Sequence, residues 1–487
     1  MDAFQSIVNE LNNDLVLQII PTVMIPLTAV SVLLTMVATF IAGLFGVTLK
    51  AEGPKKLLEV LLKPKILFSA AALNALIYGG MWSYDYVKNL PSFLYTIEAA
   101  QKINAKVSPL TYGDVLRRSV IESPANQIAP VKNLEIAWET KIPKGVFRAP
   151  SLSSSRLFAG SIDGNIYEID DASGEIQRQF FVGTFVSPAT TIYNGTLYSG
   201  EGTHHTHHAR IYAFDLETGN LKSTYETKGH TEGSPVIAKQ GDKAYMFAPA
   251  GSDGLHAIDL STMKEAWKVN DGHIDSSVFV EDSMVFAGTG REKGNAERYK
   301  SYATAYDFET GKLLWKNELA ASSWMSPVSW RNNICFVFGE VYFASGIGGV
   351  NCYNKKSGSP TKAFNLNKPV TGMPTVVGND MFVTDDSGRV CSLNLVSNSI
   401  NWCKEYASSG RNFASAVYDK YRGLLVYATK SKGLKILDPQ SGSEVYSWPA
   451  EKDEKIKWGP HFAGAVITKD GYVLSDISGT IRKMIIK

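Results

Sequence analysis

The amino-acid sequence predicts an all-β fold, an eight-bladed β-propeller carrying an N-terminal transmembrane helical hairpin. Three observations predict it. From residue 133 to the end, a unit of about forty to fifty residues recurs, each copy an apolar strand, a loop, a second strand, a tight turn and a third strand. The last copy lacks one strand, and a segment just before the first copy can supply it. Ahead of all this lies an uncharged apolar stretch long enough to be a membrane span.

The N-terminal part, residues 1–84, is read as a membrane anchor of two spans. Thr22 to Leu49 contains no charged residue. At about 1.5 Å per residue it crosses a hydrocarbon core of roughly 30 Å with some tilt. Ile66 to Ser83 is a shorter second span. Between them Lys50, Lys55, Lys56, Lys63 and Lys65 outnumber Glu52 and Glu59, whereas Asp2, Glu10 and Asp14 precede the first span without a basic residue. The lysine excess places that loop in the cytoplasm and both ends outside. The acidic n-region and long apolar run argue against a cleaved signal peptide. Residues 85–132 form a linker with no strand pattern, in which "SFLYTIEAAQKI" has the periodicity of an amphipathic helix.

Residues 133–487 hold the repeats. Most hairpins carry Asp or Asn followed four positions later by Gly, as at Asp170 and Gly174, Asp215 and Gly219, Asp307 and Gly311, Asn354 and Gly358, and Asp438 and Gly442. Such a turn needs a side-chain acceptor at its start and positive φ near its end. Asn398 can replace glycine there, while Met263 breaks the rule. Each unit opens on a small-residue step before an apolar strand: Ala149-Pro150, Ser187-Pro188, Ser234-Pro235, Ser276-Ser277, Ser326-Pro327, Met373-Pro374, Ser415-Ala416 and Gly464-Ala465. That makes eight innermost strands. "NLEIAWETKI", residues 133–142, is the expected outer strand of the eighth unit, closing the ring and removing open sheet edges.

The frame "AYDFETGKLLW", Ala305 to Trp315, resembles the repeat of pyrroloquinoline-quinone-type β-propellers. Trp267 and Trp402 stand eight residues after Asp259 and Asn394, as Trp315 does after Asp307, so a docking tryptophan recurs. The resemblance spans residues 133–487 and implies the fold. It leaves the chemistry open, because such propellers serve both quinone-dependent dehydrogenases and non-enzymatic envelope scaffolds similar to BamB. A dehydrogenase of this type implies a vicinal cysteine pair, calcium ligands and a catalytic aspartate. No Cys-Cys dipeptide occurs here, and the repeats leave little room for long insertions. The chain is therefore expected to be a non-enzymatic, membrane-anchored periplasmic interaction scaffold of the bacterial inner membrane, without cofactor and with other membrane or envelope proteins as partners. A membrane-bound quinone-dependent dehydrogenase is the alternative. Departing from BamB-like lipoproteins, the sequence has no cysteine before residue 335.

Forty-nine basic against forty-seven acidic residues leave a charge of +2, which gives nucleic-acid binding little support. Cys335 and Cys352 flank one loop and Cys391 and Cys403 flank one turn, so each pair can lie across adjacent antiparallel strands and form a disulfide. Neither C-x-x-C nor C-x-x-C-H occurs. His204, His205, His207 and His208 crowd a loop of the second unit. They are candidate metal ligands, although His204 and His208 can chelate together only if the loop turns helically. The expectation is a solvated loop and no metal. That loop shares a face with the connections into the innermost strands, which carry His230, His273 and His461 together with Trp324, Met325 and Arg411. These six form the predicted interaction face.

Overall fold

The computed structural model describes residues 120–121, 131–203, 206–291, 300–340, 346–406, 412–449 and 459–487. The predicted membrane anchor, nearly all of the linker, His204, His205 and Arg411 lie outside the described residues. Among the described residues no helix is long and apolar enough to cross a membrane. The chain divides into two units, Met1–Ala105 and Lys106–Lys487, and everything that follows belongs to the second.

Eight sheets, seven antiparallel with four strands and one of five that adds a parallel strand to an antiparallel four, make the eight blades of a propeller. Blade 1 runs Ser151–Ser153, Arg156–Gly160, Asn165–Asp170 and Ile176–Phe181, from the innermost strand to the outermost. Blades 2 to 7 repeat this order, with innermost strands Thr191–Tyr193, Val236–Gln240, Phe279–Glu281, Val328–Trp330, Thr375–Val377 and Ala416–Asp419. Each begins within a few residues of its small-residue step. Blade 8 has Val466–Ile467, Gly471–Ser475 and Thr480–Ile486 from the C-terminus, and its outermost strand is Leu134–Lys141. Leu134 pairs with Ile486 and Lys141 with Thr480, so the expected closing strand is in place.

The hairpin turns show why the Asp-to-Gly spacing recurs. In blade 4 Asp307 Oδ1 accepts from the Thr310 amide at 2.9 Å, and the Gly311 amide donates to the Asp307 carbonyl at 3.0 Å. Gly311 takes φ of +69°. Met263 departs from the expected rule in residue type yet obeys it in conformation, with φ of +52° and its amide donating to the Asp259 carbonyl at 2.7 Å.

Blades join through the outermost strands. Trp138, Trp267, Trp315 and Trp402 each lie over the turn glycine of the next blade: Gly174, Gly311, Gly358 and Gly442. A Cβ on any of these glycines would come within 2.6 Å of the indole. Each indole N–H donates to a carbonyl of the same turn, at 2.9 Å to Asp171, 3.0 Å to Phe308, 2.7 Å to Lys355 and 3.1 Å to Pro439. Blade 1 uses Arg178 instead, over Gly219. Blade 2 offers only Ser223, which with Met263 of blade 3 lines a cavity. With no indole to seat, that turn tolerates a side chain.

One strand was not expected. Val120–Ile121, inside the linker, pairs in parallel with the innermost strand of blade 6, Val120 opposite Val376 and Ile121 opposite Val377. Two residues are too few to show a period-two pattern, so the linker reads as strandless in sequence.

Candidate functional site

Each connection from one outermost strand to the next innermost strand, here called an inbound loop, meets the loop between the second and third strands of a blade. The Gly202 amide donates to the Phe185 carbonyl at 2.8 Å, the Gly290 amide to the His273 carbonyl at 2.7 Å and the Asn412 amide to the Asp386 carbonyl at 3.0 Å. Both loop sets therefore share one face. Two positions before the small-residue step stand Phe147, Phe185, Trp324, Phe413 and Phe462, all partly buried. Four of them form a continuous arc across blades 7, 8, 1 and 2. Ring centroids are 5.2 Å apart for Phe413 and Phe462, 5.3 Å for Phe462 and Phe147, and 5.2 Å for Phe147 and Phe185. Beside them a cavity opens between inbound loops and innermost strands, lined by Pro150, Met373, Phe413, Phe462 and Ala465.

Across the same face, the inbound loops of blades 3 and 4 bring His230, His273 and Asp275 together. His230 Nε2 lies 2.8 Å from Asp275 Oδ1, and His273 Nε2 lies 2.9 Å from Asp275 Oδ2. His230 and Asp275 are buried, while His273 is partly exposed. Burial alone would raise the Asp275 carboxyl. The charges and hydrogen bonds of His273 and His230 overcome it and hold the group well below the usual carboxylate range. The His230 and His273 rings are 5.3 Å apart, and Trp324 meets His273 edge-on at 6.5 Å. Among the described residues, these three side chains alone bring three metal-ligating atoms close enough together to hold one ion.

Of the six residues predicted for the interaction face, the structure thus joins His230, His273 and Trp324. Met325 is buried in the core between blades 5 and 6. His461 is buried as well, its Nδ1 donating to the Gly459 carbonyl at 2.7 Å. Burial pushes its imidazole down to about 4. His207 and His208 are exposed in a bend, and His208 has φ of +72°, so the loop does not turn helically there. Sequence reading missed Asp275. The signal was the spacing His273-Ile274-Asp275, which in extended chain puts both side chains on one side. His230 comes from one repeat earlier, and only the ring geometry adds it.

The eighth histidine, His256, sits between blades 2 and 3. Its Nδ1 is 2.9 Å from the Tyr225 hydroxyl and its Nε2 3.0 Å from Asp253 Oδ2. The order Tyr, His, Asp looks like a proton relay, but burial pushes the Tyr225 phenol up, with Glu265 adding to it. A phenol held protonated in this way is a poor nucleophile, and its contact with His256 ties the outermost strand of blade 2 to blade 3.

Comparison with known proteins follows the fold. Residues 127–300, 207–328 and 299–455 match the family described as "Outer membrane protein assembly factor BamB", which together is well over half of the chain. Quinoprotein glucose dehydrogenase of Gluconobacter oxydans (strain 621H) is 24% identical over 250 residues, 47% of this chain. The chain spans only 30% of the length of that curated relative. BamB from Moraxella catarrhalis superimposes with a TM-score of 0.55 at 14% identity, covering 72% of this chain and all of the other. Quinohemoprotein alcohol dehydrogenase from Comamonas testosteroni gives 0.59 at 13% identity, covering 78% of this chain and 80% of the other. These structural likenesses concern the fold alone.

Proposed function

We propose that this chain, which belongs to the family described as "Outer membrane protein assembly factor BamB", works as a membrane-anchored, non-enzymatic protein-interaction scaffold with its propeller in the periplasm. The observation that carries the reading is the arc of partly buried phenylalanines, Phe413, Phe462, Phe147 and Phe185, on the inbound-loop face. Aromatic side chains half sunk into a rigid rim are the anchors that dominate protein interfaces. Partners in this reading are membrane or envelope proteins, with outer-membrane protein assembly one role among several.

The dehydrogenase alternative draws on the quinoprotein relative. Against it, the sequence lacks a vicinal cysteine pair, and all four cysteines are joined across strands as Cys335–Cys352 and Cys391–Cys403. Crosslinking in native membranes followed by mass spectrometry separates the two readings. A protein partner crosslinked near the arc, and its loss when Phe147 and Phe462 are changed to Ser, supports the scaffold. Stoichiometric quinone in native protein with alcohol or sugar oxidation defeats it.

A further inference from the structure

We infer that His230, His273 and Asp275 form a binding site for one divalent transition-metal ion of the zinc type, bridging the inbound loops of blades 3 and 4. The donor atoms of the three side chains all lie within 4.8 Å of one another, and among the described residues no other trio of such side chains does. Both imidazoles aim the same nitrogen at one carboxylate, one at each oxygen. Zinc bonds of about 2.0 to 2.2 Å to nitrogen and oxygen set donor atoms roughly 3.3 Å apart in a tetrahedron. The Nε2-to-carboxylate separations of 2.8 and 2.9 Å are about half an ångström shorter than that spacing, so both contacts open slightly when an ion enters. Each imidazole then carries its proton on Nδ1 and offers Nε2. Two imidazoles and one carboxylate suit zinc, cobalt or nickel, whereas calcium and magnesium require oxygen shells. Three protein ligands also leave a fourth coordination position open.

The backbone holds this trio in place before any ion arrives. Ile274, between His273 and Asp275, exchanges hydrogen bonds of 2.9 and 3.0 Å with Gly251. Gly251 has φ of +55°, and a Cβ there would come within 2.6 Å of the His230 ring, so the close approach requires glycine. On the other side the Gly290 amide fixes the His273 carbonyl at 2.7 Å. Two loops more than forty residues apart in sequence are thus locked against each other, His230 facing Asp275 at a separation of 45 positions. This inference does not depend on the scaffold reading.

The test uses full-length protein stripped with a chelator and titrated with Zn(II) against a chromophoric competitor, and with Co(II) followed by visible absorption. One equivalent of Zn(II) and a tetrahedral Co(II) band are expected. His273→Ala and Asp275→Asn should each weaken binding by at least about 100-fold, since losing even an outer-shell partner costs 10- to 100-fold. His273→Gln, at a partly exposed position, guards against loss by misfolding, and circular dichroism checks each variant. Changing His204, His205, His207 and His208 together to Ala should leave affinity unchanged. Failure to bind one equivalent, binding that survives both His273→Ala and Asp275→Asn, or binding lost with the four loop histidines would overturn the site.

Discussion

At the scale of single residues, position in the ring decides what a side chain contributes. Trp315 fills the seam between blades 4 and 5 because Gly358 has no side chain and takes φ of +69°. Trp315→Ala should cost about 3 to 5 kcal/mol, measured by denaturant unfolding. Gly358→Ala should also destabilise, through both the left-handed backbone and the indole contact. His461 makes a pH-dependent contribution. Burial holds its imidazole neutral down to about 4, against an ordinary value of 6.5. Because the folded value is depressed, its contribution is complete above about 6.5 and is lost as pH falls toward 4. His256, also pushed down by burial, works in the same direction. The stability of His461→Gln should therefore decline less steeply between pH 6.5 and 4 than that of the unaltered protein. Identical slopes in urea titrations across that range would show that His461 is not protonated on unfolding.

At the scale of elements, the sequence shows periodic features far better than geometric ones. All eight innermost strands and the closing strand were legible, because small steps, apolar strands and Asp-to-Gly turns are local and repeat. The device that aims the docking residues was not. In each blade the outermost strand carries one extra residue just before the docking position, as at Leu314 before Trp315 and Asn401 before Trp402. A bulge sharpens local twist and turns the next side chain toward the neighbouring blade, yet it leaves no mark in composition. The same limit hid the site trio: two of its histidines were singled out, but Asp275 gains meaning only when His230 arrives from the preceding blade. The cysteines lie between these cases. Cys335 pairs with Cys352 and Cys391 with Cys403 as directly opposed residues, at Cα separations of 3.9 and 4.1 Å. Nonreducing peptide mapping of protein matured in its own compartment should recover these two links and no others. Four free thiols would instead point to a reducing location.

At the scale of the whole molecule, two independent cues bear on the compartment proposed for the propeller. Two cross-strand disulfides suit an oxidising compartment and would be short-lived in a reducing cytosol. The segment from Lys50 to Lys65 carries five lysines against two glutamates, and a lysine excess beside a membrane span favours the cytoplasmic side. In the proposed two-span reading, the segment following the second span emerges on the side opposite the lysine loop, the side the disulfides favour. Neither cue depends on the other, since one rests on redox chemistry and the other on charge near apolar segments. The resulting prediction places both termini outside and the lysine loop inside. Single cysteines introduced as Tyr84→Cys and Lys56→Cys, in a background with the four native cysteines blocked or bonded, should respond oppositely to a membrane-impermeant thiol reagent. In intact spheroplasts Tyr84→Cys should label fully, and Lys56→Cys only after the membrane is broken. Labelling of Lys56→Cys in sealed cells would refute this orientation, and the propeller would then have to keep its disulfides where thiol reductants are abundant.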